Sequence, residues 1–160
     1  MLSTIKTILY VSDLKGGTWP SMRLACSIAQ QYGAKMIYAH VVNHVKELRD
    51  TMKDFEINSS VDIQEILTKA TAKAESRMKE NVRKFLTDEY PESDSPVDIQ
   101  IQVLEGYASQ TILRTAELEH ADLIVMSSRT HGAIGQVIGS TTNKVMHHGK
   151  FPVLVIPYYD

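Results

Sequence analysis

Apolar residues in this chain gather into five short runs, separated by longer stretches in which they recur every three or four positions. The first run spans Ile5 to Val11 and ends at Ser12-Asp13. The stretch after it has Thr18 or Ser21 placed to cap a helix, Leu24, Ala25, Ile28, Ala29 and Tyr32 on one face, and Gly33 to end it. Lys35 to Val42 predicts a second strand. Ser59 or Ser60 then opens a long helix, in which Ile63, Leu67, Ala70, Ala74, Met78, Val82 and Phe85 form one stripe. Pro91 and Pro96 bracket its exit loop. Val97, Ile99, Ile101 and Val103 alternate with Asp98, Gln100 and Gln102, the pattern of a strand with one wet face. Gly106 precedes a helix packing through Ile112, Leu113 and Ala116, and Asp122 to Met126, apolar on both sides, predicts a central strand. Gly139-Ser140 leads into a helix bearing Val145, and Phe151 to Pro157 is the last strand.

Strands alternating with helices call for an α/β fold, a single domain over residues 1–160 built on a doubly wound parallel sheet with helices on both faces. Ligands of such sheets bind beyond the carboxyl ends of the strands, where the strand order reverses. The loops from Ser12 to Trp19 and from Ser127 to Gly139 concentrate Gly, Ser and Thr and are the candidate site.

Charge narrows the picture. Residues 45–96 hold 21 of the 36 charged side chains and read as solvated helix surface between the second and third strands. The net charge of −2 supplies no global field for nucleic acid or an anionic membrane, so neither is an expected partner. No apolar run approaches the ~18 residues of a membrane span, and Met1-Leu2-Ser3 runs straight into a lysine-bearing strand pattern unlike a secretory signal. The single cysteine, Cys26, forms no internal disulfide, and a cytoplasmic location is the expectation. Of the six histidines, His147 and His148 point about 100° apart on a helix, which is no chelate, and no metal site is expected. Serine nucleophile elbow, Walker lysine and dinucleotide fingerprint are all missing, so none of these catalytic motifs marks the chain as an enzyme.

The segment Asp122-Leu-Ile-Val-Met-Ser-Ser-Arg-Thr-His-Gly-Ala, then Gly135-Gln-Val-Ile-Gly-Ser140, Lys144-Val-Met-His-His and Pro152-Val-Leu-Val-Ile-Pro157, resembles the universal stress protein family. A first strand ending in Asp13 and a second closing with Ala39-His-Val-Val42 fit as well, and the resemblance covers about residues 4–157. It implies a five-stranded parallel sheet in order 3-2-1-4-5, with strands 1 and 4 adjacent.

It also implies a stress-response protein of regulatory type with a site for ATP, with Mg²⁺. Some members bind ATP through Gly, two residues, Gly, nine residues, then Gly and Ser or Thr; glycines admit phosphates to the backbone and a helix N-terminus complements their charge. Asp13 and Val41 match the positions that read the nucleoside, and Gly139 and Ser140 match the end of the motif. After Met126, Ser127 stands where the first glycine is expected and Thr130 where the second is, with eight residues rather than nine before Gly139. Gly132 offers compensating freedom, the hydroxyls offer donors, and Lys15 offers a phosphate contact. Two other readings stand beside this one. One is a nucleotide-free dimeric interaction protein whose altered loop closes the cleft. The other is an adenine-nucleotide hydrolase, for which Leu14-Lys15-Gly16-Gly17 is a poor match to the Ser- and Gly-rich loop expected.

In the implied order, strand 5 lies at an edge. Val153 to Ile156 carries neither charge nor proline, with Pro152 and Pro157 bracketing it, so a homodimer through this strand is expected.

Overall fold

The structure, a computed structural model, describes residues 4–15, 18–52, 60–92, 97–130 and 138–159. Five strands, β1 (Thr7–Val11), β2 (Lys35–Val42), β3 (Ile99–Glu105), β4 (Leu123–Thr130) and β5 (Val153–Tyr159), pair in parallel in the order β3-β2-β1-β4-β5. The helices are α1 (Thr18–Tyr32), α2 (His44–Met52), α3 (Ser60–Glu89), α4 (Ala108–Leu118) and α5 (Ser140–His148). The fold class is the one read from the residues, and the strand order is the one the resemblance implies.

The sheet separates two cores. On one face Ile8, Tyr10, Met36 and Tyr38 meet Met22 and Ala25 of α1 and Met78 and Phe85 of α3. On the other, Leu9, Val11, Ile37 and Ala39 meet Ile112 and Ala116 of α4 and Val145 of α5. Every residue of β1 is buried, as a central strand requires. Tyr10 and Tyr38 stack across β1 and β2 with ring centroids 5.1 Å apart, an arrangement worth about 0.5–1.5 kcal/mol beyond the area buried. Asp122 pins the start of β1: its Oδ2 accepts the N–H of Lys6 at 2.8 Å and of Thr7 at 3.0 Å.

The α3 stripe lies as expected, with Leu67, Ala74, Met78 and Phe85 buried. The α1 face does so in part: Ala25 and Ala29 are buried and Ile28 packs against the core. Leu24 and Tyr32 are exposed, at 41% and 56%, and the inward stripe is Thr18, Ser21, Met22, Ala25, Cys26 and Ala29. Tyr10 of the sheet sets this face: its hydroxyl donates to the Thr18 carbonyl at 3.0 Å and lies 2.9 Å from Ser21 Oγ, which turns those residues inward. Cys26 belongs to that stripe; burial pushes its thiol up to about 12, so it packs as a small apolar group.

The strands also differ in extent. β3 begins at Ile99 instead of Val97 and runs to Glu105, because its pairing with β2 continues to Val42↔Glu105. β4 continues beyond Met126, so Ser127, Ser128 and Thr130 belong to a strand and not to a loop; the ladder with β5 runs on to Thr130↔Tyr159. Pro157 therefore lies inside β5 instead of bracketing it, opposite Ser128. Helix α2 falls in the stretch read as solvated helix surface, but a separate helix there was not expected. Asn43 starts it, accepting the N–H of Lys46 on Oδ1 at 3.3 Å and that of Glu47 on its carbonyl at 2.9 Å.

Where α5 ends, Gly149 donates its N–H to the Val145 carbonyl. A Cβ there would stand 2.6 Å from Leu113 Cδ2 and 2.7 Å from the Val145 oxygen. Gly149→Ala is expected to destabilise the protein by about 1–3 kcal/mol through overpacking against backbone, read as a lower midpoint in urea.

Candidate functional site

A cavity of about 560 Å³ opens at the carboxyl ends of β1 and β4, within the ~300–1,000 Å³ usual for small-molecule sites. Two conditions place it there. β1 and β4 are neighbours, so the chain leaves them in opposite directions, toward α1 and α5, and the connections splay apart.

The β1 wall is built by local hydrogen bonds. Ser12 Oγ accepts the N–H of Leu14 at 3.0 Å, and Asp13 Oδ1 accepts the N–H of Lys15 at 2.9 Å. These turns hold Leu14 at φ 61°, a left-handed conformation that costs a non-glycine residue about 1–2 kcal/mol. Burial of its side chain offsets that by a similar amount, about 1.5–3 kcal/mol for a leucine. Asp13 itself is exposed, and its Oδ2 accepts a second bond, from the Tyr158 hydroxyl of β5 at 3.2 Å.

His40, near the end of β2, donates from Nδ1 to the Ser12 carbonyl at 2.8 Å, which fixes the tautomer and leaves Nε2 as an acceptor. Burial lowers its pKa, opposed by the Ser12 carbonyl and by the charges of Asp13 and Glu47, so the ring is neutral at pH 7. On the β4 side, buried Ser128 accepts the Gly139 N–H on its Oγ at 3.2 Å. Helix α5 then starts at Ser140 with Gly139 as N-cap and no side-chain cap. Its first N–H groups and partial positive charge face a cavity also lined by Ser140, Thr141 and Thr142.

The cavity brings together Asp13, Val41, Met126, Ser127, Gly139 and Ser140, all singled out from the sequence. Thr130 ends β4 opposite Tyr159, and Gly132 lies outside the described residues. Lys15 is also on the wall. Lys46, Asn43, Ala108 and Ile112 line it without having been foreseen. Asn43 could have been found as a helix cap directly after a strand, and Lys46 would have followed. Among the described residues no three His, Cys, Asp or Glu side chains cluster as a metal site, and no helix is long and apolar enough to cross a membrane.

The family model of the universal stress protein family matches residues 4–157. This chain belongs to that family. The universal stress protein in the QAH/OAS sulfhydrylase 3′ region of Thermus aquaticus is 28% identical over 152 residues, 94% of this chain and 98% of its own length. Among solved structures, UspA of Lactobacillus plantarum is 22% identical and superposes with a TM-score of 0.71 over 97% of this chain and 99% of its own. A universal stress protein in complex with cAMP is 17% identical, with a TM-score of 0.58 over 97% and 98% of the two chains. At these identities the structural likeness carries the fold. Within that fold, this universal stress protein departs from the Gly-rich phosphate motif at Ser127 and Thr130 and places strand residues there.

Proposed function

We propose that this universal stress protein is a regulatory protein that holds an adenine nucleotide, ATP, in the cavity between the β1 and β4 ends. The observation that carries the reading is the start of α5. An uncapped helix N-terminus with three hydroxyl residues opens on a cavity that two cations, Lys15 and Lys46, also line. That combination suits a polyphosphate. The remaining wall suits a nucleoside: the Asp13 carboxylate for hydroxyl donors, the Val41 backbone for a base edge, and Ile112 and Met126 for a base face. A relative solved with cAMP supports a nucleotide in this fold. Mg²⁺ would sit with the phosphates, where the Ser127, Ser140 and Thr141 hydroxyls offer oxygen ligands and its charge would offset that of the nucleotide.

Calorimetric titration tests the reading. Replacing Lys15 and Lys46 together by alanine is expected to weaken ATP at least about tenfold, from lost charge-assisted bonds, and to leave adenosine unchanged. No ATP uptake by the unaltered protein, or equal weakening of adenosine, counts against it.

We also propose a homodimer through β5. The Ile124 N–H donates to the Pro152 carbonyl at 3.0 Å, so even-numbered residues of β5 turn their backbone toward β4. Val153 and Val155 then turn theirs to the outer edge of the sheet, and Pro157 stands on that edge with no N–H to offer. A second copy in antiparallel pairing would satisfy the two valines symmetrically, with Pro157 marking the end of the ladder.

A further inference from the structure

Asp13 is held from two sides by elements far apart in the chain. The Lys15 N–H fixes Oδ1 at 2.9 Å from within the β1–α1 loop. The Tyr158 hydroxyl reaches Oδ2 at 3.2 Å from β5, 145 positions later. Tyr158 is itself buried, at 7% exposure, so its hydroxyl is delivered by a ring that packing keeps in place. Asp13 is exposed and would otherwise turn freely about its side-chain bonds.

We infer that Tyr158 is a positioning residue: its hydroxyl sets the Asp13 carboxylate in the orientation that receives a nucleotide's hydroxyl groups. The inference rests on the nucleotide reading above and adds to it the residue that prepares the acceptor. An ionised carboxylate offers about four acceptor directions, and the two donors among the described residues use one on each oxygen. One direction per oxygen remains, enough for two neighbouring hydroxyls of a sugar. With both oxygens anchored, the carboxylate pays no rotamer entropy when ligand arrives.

The bond also reaches the strand at the sheet edge. Tyr158 follows Pro157 and directs its backbone to β4, so the residue that sets the nucleotide acceptor is held by the β4–β5 ladder and not by the loop that carries Asp13. Disturbing the end of β5 is therefore expected to be felt as lost nucleotide affinity while β1 stays intact.

The test is a double-mutant cycle on ATP affinity with Tyr158→Phe and Asp13→Ala. Phenylalanine keeps the ring and removes only the donor, and its melting temperature checks that the fold is kept. Tyr158→Phe is expected to weaken ATP about three- to tenfold, the cost of ordering one free side chain on binding. In the Asp13→Ala background the same substitution is expected to change nothing, which a purely structural role of the tyrosine would not produce. Unchanged affinity in Tyr158→Phe, or equal weakening with and without Asp13, overturns the inference. Should the unaltered protein take up no ATP, the nucleotide reading fails by itself. The pairing is then judged by the same cycle in urea unfolding: coupled losses sustain it and additive losses overturn it.

Discussion

ATP with Mg²⁺, at a hundredfold excess over its dissociation constant, is expected to raise the melting temperature by about 5–10 °C. A ligand selective for the native state contributes about 2.7 kcal/mol at that excess, and a domain of this size gains about 2–4 °C per kcal/mol. Asp13→Ala is expected to erase most of the shift. The carboxylate lies on the cavity wall, and its removal takes away an acceptor that two other residues hold in place. Because Asp13 is exposed, the variant still folds, and its loss of response reads the site instead of the core. Scanning calorimetry with and without nucleotide measures both. A melting temperature indifferent to millimolar ATP would set the nucleotide reading aside in favour of a protein that acts through its surfaces alone.

Light scattering is expected to return twice the chain mass of 18.0 kDa, and Val155→Pro is expected to return the single mass. The substitution is chosen by backbone direction. Val155 turns its N–H outward, so proline there removes an edge donor and leaves the β4 ladder whole. Twofold symmetry counts the loss twice, which amounts to about a hundredfold weaker association. Ile156→Pro is the contrast, since that N–H turns toward β4, and there the fold itself is expected to suffer. A wild-type protein monomeric at high micromolar concentration would refute the edge pairing.

What the sequence discloses follows from how local each signal is. The stripe from Leu67 to Phe85 and the apolar runs of β1, β2 and β4 are legible because burial there depends on spacing along the chain alone. The α1 face is legible only in part, since Thr18 and Ser21 turn inward only once the Tyr10 hydroxyl meets them from the sheet. Helix α2 escapes as an element of its own because its charge hides a sparse apolar pattern, and Lys46 escapes with it. Asp13 and Ser140 are visible as residues at strand and helix ends, which any doubly wound sheet brings together. Tyr158 is invisible in the same pattern. Nothing near it in the chain announces that its hydroxyl meets a carboxylate 145 positions away.

The place of β1 in the sheet has a consequence for synthesis. β1, β2 and β3 are adjacent in space and come first in the chain, so they and their helices can assemble as soon as residue 105 is available. At that moment β1 is an edge, and its wholly buried Thr7–Val11 has no neighbour on one side until Leu123 to Met126 arrive. That edge is largely apolar and without a charge or proline, the kind of template on which nascent chains join one another. Asp122, just before β4, bonds the amides of Lys6 and Thr7 from 116 and 115 positions downstream. A nascent chain that has emerged from the ribosome only as far as residues 106 to 121 therefore presents a half-sheet whose most hydrophobic strand is still bare.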